Sequence, residues 1–183
     1  MVAYNRRFIE ESSILSRKRL DIPCVFLSHQ KKDAEYTRKI ADFLIENEID
    51  IYFDEYDIDL KNTNQNNNPD KMTKAILKGI NSSSHMLVIV SPNTLYSNWV
   101  PFEIGFGFDK TDLGILTLKG IAKGKLPAYL KTAKRIRDRY DINSFVRYLT
   151  RNNDNELCKS FDYYDHSSFN HPLYNVMDSI IVD

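Results

Sequence analysis

Trp99 and Glu103 stand four residues apart in the string WVPFE, so on a helix they share one face. Glu103 then lies near the positive end of that helix, which favours an ionised carboxylate. A preorganised carboxylate can stabilise developing positive charge and hold hydroxyl groups. The plainer alternative is a solvated helix charge. Trp99 reads equally as packing or as an aromatic wall, and Phe102 in the same string is a further candidate contact. Two other places offer polar side chains to a ligand. Ser28, His29, Gln30 and Lys31 follow an apolar run, and Asp54, Tyr56 and Asp57 follow another. A histidine there more readily hydrogen-bonds locally than acts as a general base, and turn capping competes with ligand binding for acidic loop residues.

Other chemistries lack their patterns. Asp162, Asp165, His166 and His171 match no standard zinc spacing. No Gly-x-Gly-x-x-Gly follows the first apolar run and no GxxxxGK[ST] occurs, so neither dinucleotide grip nor phosphate loop is expected. No GxSxG supports a nucleophile elbow. Cys24 and Cys158 are far apart, and Cys24 sits in an apolar run as a buried thiol would. A reducing, cytoplasmic home fits.

The elements that position these residues follow from apolar periodicity. Cys24 to Leu27, Ile49 to Phe53, His85 to Val90 and Leu113 to Leu118 are short apolar runs suited to buried parallel strands. Arg135 and Ile136 suggest a short fifth strand. Between them, Asp33 to Asn47 and Lys71 to Ser82 carry helical stripes, the first with Asp33 as N-cap. Ser91-Pro92-Asn93 is a turn, and a helix starts at Trp99 with Asn98 as a possible cap and Pro101 tolerable in its first turn. Ser144 to Thr150 reads as a helix capped by Asp141 or Asn143. Short helices are also expected at Arg6 to Leu20 and Leu173 to Ile181. Strands alternating with helices predict an α/β fold, a parallel sheet of four or five strands with helices on both faces. Ligands in such sheets bind beyond the carboxyl ends of the strands.

At 183 residues the chain fits one domain with terminal extensions. The expected division is an N-terminal helical extension at 1–22, a domain at 23–152, and a C-terminal extension at 153–183 packing on it. Lysine plus arginine and aspartate plus glutamate number 25 each, so no global field draws nucleic acid or an anionic membrane. The charge is uneven: Lys119 to Arg151 holds ten basic residues, and Asp50 to Leu60 holds five acidic ones. No signal peptide and no membrane-length apolar run are apparent, so a soluble cytoplasmic protein is expected.

CVFLSHQKKD, IYFDEYDID and HMLVIVSPNTLYSNWVPFEI, in that order, resemble the three motif regions of a TIR (Toll/interleukin-1 receptor) domain. They are similar to its first strand, its second strand running into the BB loop, and its third strand with the Trp-x-x-x-Glu helix. The BB loop of the family usually carries a glycine, whereas this connection holds five asparagines from Asn62 to Asn68 and no glycine. The resemblance implies a flavodoxin-like fold and, for TIR enzymes, cleavage of the nicotinamide–ribose bond of NAD by the glutamate matching Glu103. NAD would be the substrate, with no cofactor or metal. Substrate contacts would come from Ser28, His29, Gln30, Lys31, Asp54, Tyr56, Asp57, Trp99 and Phe102. The product would be ADP-ribose or a cyclic ADP-ribose-type signal. A stand-alone bacterial chain also looks like the TIR proteins of Thoeris antiphage defence, which implies homotypic self-association and a separate effector that responds to the nucleotide. Two alternatives stay open: a non-enzymatic TIR interaction module, and an enzyme similar to nucleoside deoxyribosyltransferases.

Overall fold

The computed structural model describes residues 2–8, 22–53, 69–119, 126–150 and 169–177. Among the described residues, five short strands, β1 (Cys24–Ser28), β2 (Asp50–Tyr52), β3 (His85–Val90), β4 (Asp112–Thr117) and β5 (Lys134–Ile136), form one sheet in the order β2-β1-β3-β4-β5. Every neighbouring pair is parallel. The helices are α1 (Ala34–Glu46), α2 (Pro69–Asn81), α3 (Trp99–Gly107) and α4 (Arg139–Thr150). The alternating apolar runs predict this parallel α/β sheet, and its strand order is the flavodoxin-like one that the resemblance implies.

β1 is buried along its whole length, as a strand covered on both faces must be. Because successive side chains point to opposite faces, the sheet divides its apolar residues between two cores. Val25, Leu27, Leu87, Ile89 and Leu116 pack with Ile40, Phe43 and Leu44 of α1 and Ile142, Phe145 and Val146 of α4. Cys24, Phe26, Met86, Val88 and Ile115 pack with Ile76 and Ile80 of α2 and Val100 and Ile104 of α3. Thus α1 and α4 cover one face, and α2 and α3 the other.

Several local expectations are corrected. Asp33 precedes α1 but makes no capping bond there, because its carboxylate is engaged elsewhere. Asn98 likewise does not cap α3; the Val100 N–H donates to Ser97 Oγ at 3.2 Å. α4 starts at Arg139, so Asp141 and Asn143 lie inside it. Asp138 is the capping side chain, accepting the Asp141 N–H at 2.9 Å. The helix expected over Leu173 to Ile181 is, in its described part, a run of turns. The Val176 and Met177 N–H groups both donate to Leu173 O, at 3.0 and 2.9 Å, and Leu173, Val176 and Met177 join the α1–α4 core. Of the helix expected over Arg6 to Leu20, residues Arg6–Phe8 form one 3-10 turn, and the rest lies outside the described residues.

α2 approaches the sheet through Gly79. A Cβ there would fall 2.5 Å from Tyr52 Cε1 and 2.7 Å from Phe26 Cε2, two rings stacked 5.9 Å apart. Gly79→Ala is therefore expected to cost about 1–3 kcal/mol, read as a lower Tm in thermal melts. At the amino end of β3, burial holds the His85 pKa below 6.5, opposed by Asp112 and reinforced by Lys134. The unfolded chain binds this proton more readily, so the folded state loses stability as the pH falls below 6.5. Melts of His85→Gln over that range should show a shallower acid dependence than wild type.

Candidate active site

The chain winds one way from β1 to β2 and the other way from β3 to β5. The carboxyl ends of β1 and β3 therefore flank the topological switch point, where open α/β sheets leave a crevice. Ser28 is the last residue of β1, and Ser91 follows β3 directly.

α3 is the sequence WVPFEIGFG, in which Glu103 is the one charged residue. Val100 and Ile104 are buried against the sheet, and Glu103, between them in sequence, is only 8% exposed. The solvated-charge alternative is thereby set aside. A carboxylate so far from water needs a polar partner. Ser28, 1% exposed, supplies one: its hydroxyl donates to Glu103 Oε2. That bond joins the end of β1 to the middle of α3 and holds the carboxylate beside the carboxyl end of β1. Trp99, one turn earlier on α3, is half-buried on the α2–α3 core. The Phe102 ring meets it edge-on at 6.0 Å and is 39% exposed.

The other strand-exit residues take different parts. His29 Nδ1 lies 3.1 Å from Leu27 O. A carbonyl only accepts, so that nitrogen carries the hydrogen. The His29 ring also packs on Phe53 at 5.1 Å. Gln30 Oε1 accepts the Lys32 N–H at 2.5 Å and so caps the 3-10 turn Lys31–Asp33, with Lys31 partly exposed in it. The structure thus brings Ser28 and Glu103 into contact, with Trp99 and Phe102 on the same short helix. Asp54, Tyr56 and Asp57 lie outside the described residues.

Sequence reasoning gives no hint of the network behind this pair. Asp33, 2% exposed, accepts from Ser91 Oγ at 2.5 Å and Asn93 Nδ2 at 2.7 Å. Ser91 Oγ in turn accepts the Asn93 N–H at 3.0 Å, and the Ser91 N–H donates to Thr94 Oγ1 at 2.9 Å. The turn that leads into α3 is therefore latched to the turn that leaves β1. Ser91 and Thr94 form a capping box, although SPNT lacks the Glu or Gln of the usual signature; the remote Asp33 partner has no signature at all.

Among the described residues, no group of three or more histidine, cysteine or acidic side chains is placed to hold a metal. His171 is instead a buried structural residue, its Nδ1 accepting the Leu173 N–H at 3.1 Å and its Nε2 lying 3.3 Å from Asn143 Oδ1. Asp162, Asp165 and His166 lie outside the described residues. Also among the described residues, no helix is long and apolar enough to cross a membrane.

A family model for the TIR domain matches residues 25–145. Over 80 residues, 43% of this chain, the sequence is 26% identical to the 2' cyclic ADP-D-ribose synthase BtTIR of Bacteroides thetaiotaomicron, and the match spans 25% of that protein's length. The crystal structure of the TIR domain of the Toll-related receptor TRR-2 from Hydra magnipapillata matches with a TM-score of 0.51 at 20% identity, over 70% of this chain and 95% of that one. At that identity the likeness speaks for the fold alone.

Asp33→Ala removes a buried acceptor from two donors, of which the Ser91 hydroxyl is buried. It is expected to cost about 2–4 kcal/mol, seen as a reduced denaturant midpoint. Asp33→Asn, which keeps one acceptor oxygen, should cost less.

Proposed function

This chain belongs to the TIR domain family, and from that premise we propose that it cleaves the nicotinamide–ribose bond of NAD, with Glu103 as the catalytic carboxylate. The observation that carries this reading is the burial of Glu103 beside the carboxyl end of β1, where Ser28 holds it. A carboxylate that served only as a helix surface charge would not need such a seat.

The chemistry suits a single carboxylate. Typical glycosidases use one acid to protonate the leaving oxygen and a second carboxylate at the oxocarbenium-like centre. The nicotinamide of NAD is already a cationic pyridinium and departs neutral, so the acid is dispensable. What remains is to stabilise positive charge on the ribose and to hold its hydroxyls, which a fixed carboxylate does. In this proposal Trp99 and Phe102 supply the aromatic wall of the nicotinamide pocket, and His29, Gln30 and Lys31 contact the rest of the nucleotide. Ser28 acts through Glu103.

Hydrolysis and cyclisation share the bond-breaking step and differ in what captures the ribose carbon, water or a group of the substrate itself. The name of the Bacteroides relative, a cyclic ADP-ribose synthase, favours a cyclic product. The biological setting proposed is signalling in antiphage defence, from the cytoplasm, through self-association and a separate effector that reads the nucleotide.

A second reading, an interaction module that works by self-association alone, is favoured by one feature. Tyr96, Phe102 and Phe108, on α3 and its flanks, are 85%, 39% and 54% exposed, apolar surface that a partner could cover.

Concentrated protein incubated with NAD, beside Glu103→Ala and Glu103→Gln, separates the two. Nicotinamide release, followed by chromatography with mass detection, is expected in wild type and should fall at least about 100-fold in both variants. The co-product identifies hydrolase or cyclase, and a deoxynucleoside control tests the transferase alternative. Intact NAD at high protein concentration would favour the interaction module.

A further inference from the structure

We infer that the amino-terminal segment, which precedes the region matched by the family model, belongs to the site's machinery, with Asn5 a positioning residue that sets His29 through Phe53. The inference rests on the reading of His29 as a substrate contact.

Residues 4 and 5 run parallel to β2 on its outer edge. The Ile51 N–H donates to Tyr4 O at 3.0 Å, and Asn5 pairs with Ile51 as a parallel bridge. A longer edge strand would continue this ladder to Phe53 with its own peptide groups. Here the Asn5 side chain does so. Its Nδ2 donates to Phe53 O at 2.8 Å, and its Oδ1 accepts the Phe53 N–H at 3.1 Å. Both main-chain groups of Phe53 are thereby held by one amide. Asparagine carries its donor and its acceptor on two separate atoms, so one side chain meets the carbonyl and the N–H together; aspartate accepts only, and an apolar residue does neither.

The segment is anchored on both sides of this clamp. The Tyr4 N–H donates to Asp50 Oδ1 at 3.0 Å. Arg6 donates to Asp50 Oδ2 at 2.9 Å, to Ser82 O at 3.2 Å and to Ile22 O at 2.6 Å. Asp50 is fully buried, so the ion pair fixes the position from which Asn5 reaches Phe53. A cover for the β2 edge needs no more than this ladder and anchor. The clamp goes further, to Phe53, the residue that follows β2.

Phe53 is where the constraint enters the site. Its ring is 2% exposed in the α1–α4 core and lies 5.1 Å from the His29 ring at 59°. His29 is thus held from two directions, by the Leu27 carbonyl and by Phe53. Releasing the Phe53 backbone lets its ring, and then the imidazole, depart from the orientation in which it meets the nucleotide.

The test is a double-mutant cycle on the full chain with Asn5→Ala, Phe53→Leu and the pair, reading KM and kcat for NAD, Tm, and the His29 ring resonances by NMR. Asn5→Ala is expected to shift the His29 resonances and to raise KM roughly fivefold with kcat within about twofold of wild type. Asn5→Asp, which keeps the acceptor and loses the donor, should fall between. The double variant should be no worse than the poorer single variant, since both act along one path. The inference is overturned if Asn5→Ala lowers Tm while KM and the His29 resonances stay as in wild type, or if the two effects on KM simply add. Should wild type leave NAD intact, the reading of the reaction fails separately, and the His29 resonances in Asn5→Ala alone decide whether the clamp reaches the site.

Discussion

A carboxylate on an otherwise apolar helix is the constraint on which the rest of the molecule turns. α3 packs its Val100 and Ile104 against the sheet, and that packing draws Glu103 out of water. An unpartnered carboxylate in such a place is costly, so the end of β1 must present a donor at the right depth. It does so with Ser28, the last residue of the strand. β1 and β3 pair in parallel with Ser28 opposite Val88, which brings the turn after β3 beside the turn after β1. Asp33 then ties Ser91 and Asn93 across that gap. Sheet register, strand length and the latch together hold one carboxylate beside the carboxyl end of β1.

The parts of the fold governed by local pattern were legible in the sequence. β3 runs from His85 to Val90 as its apolar run indicates, and β1 extends by one residue, to Ser28. Trp99 and Glu103 share a helix as their spacing requires. The sites that misled are those where a local pattern has two outcomes. An aspartate before an amphipathic helix is the signature of a cap, yet the partners of Asp33 lie 58 and 60 residues away. Asp138 sits within a basic stretch, which hides it as the cap of α4. Asn5 and Arg6 look like an ordinary polar amino terminus until β2 folds beside them, 44 to 48 residues on. No periodicity encodes such pairings.

Charge in this chain is also less superficial than its distribution suggests. Asp50, from the acidic stretch, is fully buried and paired with Arg6. Arg139, from the basic stretch, is buried with its guanidinium 4.8 Å from the centre of the Tyr174 ring, and Lys119 lies 5.0 Å from that centre. Asp50, Lys119 and Arg139 therefore hold the amino-terminal segment and Tyr174 against the rest of the domain. The two sheet edges are treated differently. The edge of β2 is covered by residues 4 and 5, whereas β5 is three residues long and exposes Lys134 and Arg135, features that discourage pairing with another chain.

The most direct measurement is a crystal structure of the chain with a non-cleavable NAD analogue. The expected result is the nicotinamide riboside in the switch-point crevice, its ribose hydroxyls within hydrogen-bonding distance of the Glu103 carboxylate and the Ser28–Glu103 bond intact. An analogue bound away from α3, or a Glu103 that stays sealed beneath the helix with no ligand atom in reach, would contradict the assignment of that carboxylate as the catalytic group.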